Sequence, residues 1–200
     1  MSLYLYLLIV GGTVLWFAPL LAVFTREKQK AAYADRRARW GVVLQGVAYS
    51  LVWQGSFWQR SAELWRVLLS VLLFVLACLT SWTAARALGR HLRVDAALGS
   101  DHELVRSGPY RLVRHPIYAS MLCLLLATGL LVSPVLLFAA AVVVFLLGTK
   151  IRMRIEDCML AMGFGEQFSE YQRTVPRLIP FRRPQTVSQT GGPPGEAGNA

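Results

Sequence analysis

Charge is what this chain has least of. Asp, Glu, Lys and Arg make up only 16% of its 200 residues, while 55% are hydrophobic, a balance outside the usual range of soluble domains. Acid is scarcer than base, 11 residues against 21, for a net charge of +10. Cysteine is sparse too. Cys78, Cys123 and Cys158 are far apart, with no Cys-x-x-Cys and no Cys/His cluster, which excludes a disulfide framework and a metal site. No Gly-x-Gly-x-x-Gly follows a strand and no strand–helix alternation exists, so a Rossmann-type nucleotide site is excluded. Also missing are His-Glu-x-x-His and a Ser/His/Asp elbow, so any catalysis must be built from helix ends and loops.

Long uncharged runs take the place of those features and make the chain an all-α, multi-spanning integral membrane protein. The basic residues sit beside apolar runs, as an orientation signal does, rather than on a soluble face with exposed aromatics. A nucleic-acid partner is therefore excluded. A first span covers Leu3 to Phe24, with Pro19 placed to kink it, and a second covers about Trp40 to Trp58. A third covers Leu64 to Leu88, with Arg66 and Arg86 near its ends. Gln45 and Gln54 are nine apart, so no polar stripe forms on the second span. Pro116 to Val132 and Val135 to Thr149 are separated only by Ser133-Pro134 and read as a tight helical hairpin. The expectation is therefore about five transmembrane helices and a cytoplasmic C-terminal helical segment. Basic loops place the N-terminus outside and the C-terminus in the cytoplasm of a cell inner membrane. Three regions follow: 1–88 with three spans, 89–183 as the catalytic region, and 184–200 as a tail rich in Pro, Gly, Ser and Thr, expected to be disordered.

The stretch Asp101 to Tyr118 is the anomaly. It is polar and basic, and it carries two of the chain's three histidines. Proline suits the first turn of a helix, which puts His115 at the cap of the fourth span and Tyr118 one turn in. Arg114, His115 and free backbone N–H groups there can hold an anion, or simply form a capped span with a snorkelling arginine. Glu156-Asp157, among Lys150, Arg152 and Arg154, is either a solvated ion-pair face or a place where one acid turns inward to a polar ligand. Arg152 and Glu156 are four apart and share one face of the helix. That helix should continue past the span as an amphipathic extension and stop near Gly163 and Gly165, before a short helix and an extended end.

Taken in order, His102-x-Leu104-Val105-x-Ser107-Gly108-x-Tyr110, Arg114-His115-Pro116-x-Tyr118, Glu156-Asp157 and Phe164-Gly165-Glu166-x-Phe168-x-x-Tyr171, with Val175-Pro176 and Pro180, resemble the isoprenylcysteine carboxyl methyltransferase family. Phospholipid N-methyltransferases are its distant relatives. The resemblance covers about Asp101 to Phe181. It implies a membrane methyltransferase using S-adenosylmethionine without a Rossmann fold. Cofactor contacts would fall on His102, Glu103, Leu104, Val105, Tyr110, His115, Pro116, Ile117, Tyr118 and Glu156, and Arg152 would face the substrate carboxylate. A lipophilic substrate would enter from the bilayer, among membrane lipids. Ser120 stands where glycine is frequent in the family, and Phe168 where tyrosine is.

The leading expectation is O-methylation of a carboxylate on a lipophilic substrate. A carboxylate is ionised at neutral pH and needs placement rather than a base. N-methylation of a lipid amine is the enzymatic alternative and requires a general base. A non-catalytic membrane protein that keeps the fold is the other class.

Overall fold

The computed structural model describes residues 3–24, 33–34, 37–54, 63–89, 97–98 and 104–180. Among the described residues there are six α-helices: α1 (Leu3–Phe24), α2 (Ala38–Val52), α3 (Leu64–Leu88), α4 (Pro116–Val132), α5 (Val135–Phe164) and α6 (Glu166–Thr174). A 3-10 turn at Gly108–Arg111 precedes α4. The described residues include one two-residue antiparallel pairing, β1 (Tyr33–Ala34) with β2 (Ala97–Leu98). The residues 184–200, expected to be disordered, lie outside the described residues.

The apolar runs set where most helices begin and end. α1, α3 and α4 coincide with the expected spans, and α1 continues through Pro19. The fifth span and its amphipathic extension form one unbroken helix of 30 residues. It stops at Gly165, whose φ of 51° lies in the left-handed region that a side chain disfavours. On length and composition α1, α3 and α5 can cross a membrane. At 15 and 17 residues, α2 and α4 reach about 22 and 25 Å, short of the ~30 Å hydrocarbon core. Of the five expected spans, three helices are long and apolar enough to cross a membrane, and α2 and α4 are shorter helices packed against the others.

The helix pairs differ from the expected tight hairpin. Although only Ser133 and Pro134 join α4 to α5, α4 lies chiefly along α3 and α5 along α2. Tyr49 of α2 touches both helices. The Tyr49 hydroxyl donates to the Met121 carbonyl of α4 at 2.8 Å, and its ring stands edge-on to Phe145 of α5 at 6.1 Å. Near the turn the two helices do meet, where Gly129 leaves room for the Phe138 ring.

Lipid tails are as apolar as leucine, so helices in a bilayer associate through close packing and polar bonds rather than through the hydrophobic effect. Both are present. Gly12 admits the Phe74 ring, and Gly41 and Gly148 bring α2 and α5 into backbone contact. The Trp16 indole N–H donates to Ser120 Oγ at 3.0 Å, Ser81 Oγ to the Trp16 carbonyl at 3.0 Å, and Gln45 to Thr149 Oγ1 at 3.0 Å. Each such interhelical bond contributes about 0.6 kcal/mol. The outward faces carry exposed Leu7, Val14, Leu68, Leu79, Leu136 and Leu147, as a lipid-facing surface should.

Candidate functional site

Arg152 and Glu156 stand one turn apart on α5 and point the same way. The next residue, Asp157, is turned about 100° further around the helix. Two neighbouring acids therefore serve two different groups of partners, and the start of α4 supplies groups to both.

On the first side, Arg152 Nε donates to the Tyr118 hydroxyl at 2.5 Å, and the Tyr118 hydroxyl donates to Glu156 Oε1. Arg152 Nη2 reaches the same oxygen at 3.4 Å. The guanidinium also lies over the Tyr118 ring, 5.5 Å from its centre, a favourable cation–π placement. Arg152 is buried, while the Glu156 carboxylate keeps 24% of its surface exposed.

Asp157 is the more heavily bonded acid. Arg114 Nη1 reaches Oδ2 at 3.0 Å, Arg177 Nε reaches the same oxygen at 2.9 Å, and His115 Nε2 lies 3.0 Å from Oδ1. The segment after α6 is tied in by its backbone: Arg114 N–H donates to the Pro176 carbonyl at 2.8 Å and His115 N–H to the Arg177 carbonyl at 3.0 Å. Arg114 Nε donates to the Val175 carbonyl at 3.1 Å.

His115 joins the two sides. Its Nδ1 is 3.4 Å from Glu156 Oε2 and its Nε2 faces Asp157. A neutral imidazole would present a lone pair to one carboxylate, so this geometry favours the doubly protonated ring. Burial alone would lower its pKa, but the bonds to Asp157 and Glu156 outweigh that and hold it above the ordinary histidine value.

The other expected contacts are distributed unevenly. Pro116 opens α4, fully buried, and the half-buried Ile117 accepts a hydrogen bond from Ser120 Oγ at its carbonyl, 2.7 Å away. Leu104, partly buried like Val105, packs on the α6 cluster of Phe168, Tyr171 and Val175 rather than on Arg152. Tyr110 is buried, and its carbonyl accepts from the Tyr171 hydroxyl at 2.6 Å. Burial pushes the Tyr171 phenol up to about 12, so it remains a donor at neutral pH. His102 and Glu103 lie outside the described residues. No group of three or more metal-ligating side chains occurs among the described residues.

Three members of the cluster, Arg114, Asp157 and Arg177, are not among the cofactor contacts that the resemblance implies, although Arg114 was expected to hold an anion and Asp157 was one of the two candidate acids; here those two pair with each other. The Arg-His-Pro step and the paired acids were visible signals for the first two. Arg177 carries no signal of its own, because only the extended Val175–Pro176 backbone brings it back to α4.

The family model for phospholipid methyltransferases matches residues 65–167. The cobalt-zinc-cadmium resistance protein CzcN of Cupriavidus metallidurans is 33% identical over 146 residues, 70% of this chain and 62% of that protein. Protein-S-isoprenylcysteine O-methyltransferase B of Arabidopsis thaliana is 37% identical over 81 residues, 40% of this chain and 41% of that protein. Methanethiol S-methyltransferase of Crocosphaera subtropica is 32% identical over 72 residues, 36% of this chain and 27% of that protein. The chain thus spans under two thirds of the length of each of these relatives. The matched segment contains Arg114, His115, Tyr118, Arg152, Glu156 and Asp157. This all-helical integral membrane protein therefore belongs to the phospholipid methyltransferase family.

Proposed function

We propose that the chain is a membrane methyltransferase that moves a methyl group from S-adenosylmethionine to a carboxylate on a lipophilic substrate. The observation that carries this is the Arg152–Tyr118–Glu156 chain of bonds, set where the exposed apolar face of α5 gives way to a dense polar network. Arg114, Arg152, Arg177 and a protonated His115 outnumber Glu156 and Asp157. The surplus positive charge suits an anionic acceptor. Both acids are engaged by guanidinium or imidazolium groups, a poor setting for the general base that a lipid amine requires. Relatives named O- and S-methyltransferases support methyl transfer, and the O-methyltransferases among them support a carboxylate acceptor.

The donor set fits the cofactor's chemistry. Glu156, the partly open acid, suits a hydroxyl or ammonium, and the backbone N–H groups opening α4 suit a carboxylate. Cofactor contacts are also assigned to His102, Glu103, Leu104, Val105, Tyr110, His115, Pro116, Ile117 and Tyr118. When bound, S-adenosylmethionine supplies an electrophilic methyl group. Arg152 holds the acceptor carboxylate in a fixed fork, and Tyr118 and Glu156 hold Arg152. No proton has to move, because the carboxylate is already ionised. The lipid enters sideways from the bilayer and the cofactor from the cytoplasm, with the N-terminus outside and the C-terminus cytoplasmic.

The test offers labelled S-adenosylmethionine with a farnesylcysteine analogue, phosphatidylethanolamine or methanethiol as acceptor. Base-labile label in the first supports the reading; label only in the phospholipid or the thiol overturns it. Arg152→Ala is expected to bind the cofactor normally in calorimetry and to lose about 100-fold in turnover.

A further inference from the structure

The family match begins at residue 65, so it leaves α2 without a role, yet α2 lies against Arg152. A Cβ placed on Gly41 would stand 2.4 Å from Arg152 Cγ, 3.3 Å from its Cδ and 2.8 Å from the Gly148 carbonyl oxygen. Real side chains do not approach so closely. Gly41 lies inside a regular helix, so space and not backbone freedom is what this position requires. We infer that Gly41 is a positioning residue for Arg152: its bare Cα forms a slot along which the arginine's aliphatic stem runs to Tyr118 and Glu156. The inference rests on the reading of Arg152 as the group that faces the acceptor.

The slot is held in register from both sides. Four residues on from Gly41, Gln45 donates to Thr149 at 3.0 Å; three residues before it, Ala38 packs on Met159 and Ile155. Sliding α2 along α5 would break one contact or the other. With the helices fixed, the stem of Arg152 has backbone on one side and Tyr118 on the other, which leaves the guanidinium one direction to take. Gly148 supplies a control built into the same interface. Its Cβ would meet the Gly41 oxygen at 2.8 Å, Leu44 Cβ at 2.8 Å and Gln45 N at 3.2 Å, with Arg152 not among its three nearest atoms.

The experiment compares wild type, Gly41→Ala, Gly148→Ala, Arg152→Ala and the Gly41→Ala/Arg152→Ala pair in detergent. Measured quantities are Tm, Kd for S-adenosylmethionine, and kcat and KM for a farnesylcysteine analogue. Gly41→Ala should lower kcat/KM for the acceptor about 100-fold with cofactor Kd unchanged, and should add no further loss in the Arg152→Ala background. Gly148→Ala should lower Tm while sparing acceptor kinetics. Equal acceptor kinetics in Gly41→Ala and Gly148→Ala, or simply additive losses in the pair, would overturn the inference alone. Wild-type acceptor kinetics in Arg152→Ala would remove the underlying reading, and the inference with it, without reference to Gly41. If Gly41→Ala folds only when Arg152 is also alanine, the clash is with the arginine stem and the slot stands. If neither protein folds while Gly148→Ala does, contact with the Gly148 oxygen governs the site and the inference falls.

Discussion

The two sides of the polar cluster are built from neighbouring residues and differ in kind. On the Asp157 side, two arginines and a histidine converge on one carboxylate whose side chain is only 5% exposed. They come from the α4 entry and the segment beyond α6, so this side fastens chain to chain. On the Glu156 side the acid is 24% exposed and shares Tyr118 with Arg152, so some bonding capacity is left for a ligand. One carboxylate secures the fold and the other, on the proposed reading, faces the ligand, because one step along a helix turns a side chain by about 100°.

The comparison breaks most visibly at Asp157. Asp157→Asn leaves the Arg114 guanidinium buried, with side-chain exposure of 7%, beside a neutral amide. Removing one partner of a buried ion pair costs about 3–5 kcal/mol. Arg177 is 40% exposed and adds little to that figure. A large fall in Tm is expected, with loss of cofactor binding secondary to it; a Tm near wild type would contradict the fastening role. Glu156→Gln should do the reverse. Its Tm should fall by less, because this acid is partly exposed and its ion pairs are longer, at 3.4 Å. Loss of a charged acceptor is expected to cost about 1.5–3 kcal/mol of ligand affinity, roughly a 10- to 150-fold rise in Kd for S-adenosylmethionine by calorimetry.

His115 belongs to both sides and gives the smallest effect, one with a definite sign. Its pKa in the fold is raised, since bonds to Asp157 and Glu156 outweigh burial. The folded protein therefore holds a proton that the unfolded chain releases at lower pH. The corresponding stability is fully present below the ordinary histidine value and is lost as pH rises through the raised one. A Tm–pH profile should decline across that window in wild type and flatten in His115→Asn; parallel profiles would count against a charged bridge.

Much of the fold could be read directly because a hydrophobic run encodes the length of a helix. α1, α3 and α4 have the expected ends, and the stop at Gly165 follows from its left-handed φ. Helix neighbours were not legible. Nothing in a run of leucines says that α5 lies on α2, and the two glycines that let them touch, Gly41 and Gly148, are 107 positions apart. Gln45 likewise forms no polar stripe with Gln54, and its partner, Thr149, lies 104 positions away. Within the site, Arg152, Glu156, His115 and Tyr118 are marked by their own places, at a helix start or on one helix face, and the family resemblance adds their roles. Reading helix faces alone paired Arg152 with Glu156, and it could not supply the hydroxyl that links them. Arg177 was hidden because its route back to α4 runs through carbonyl groups, which every residue has.

The bonds from Pro176 and Arg177 back to Arg114 and His115 also impose an order in time. Ribosomes make α4 before the segment beyond α6, so Arg114 and His115 emerge well ahead of Pro176 and Arg177. Until residue 177 emerges, Arg114 and His115 have neither those carbonyls nor that guanidinium beside them. The half-made chain thus has α4 but not its finished cluster, and this polar end of the bundle is completed only by residues made after α6.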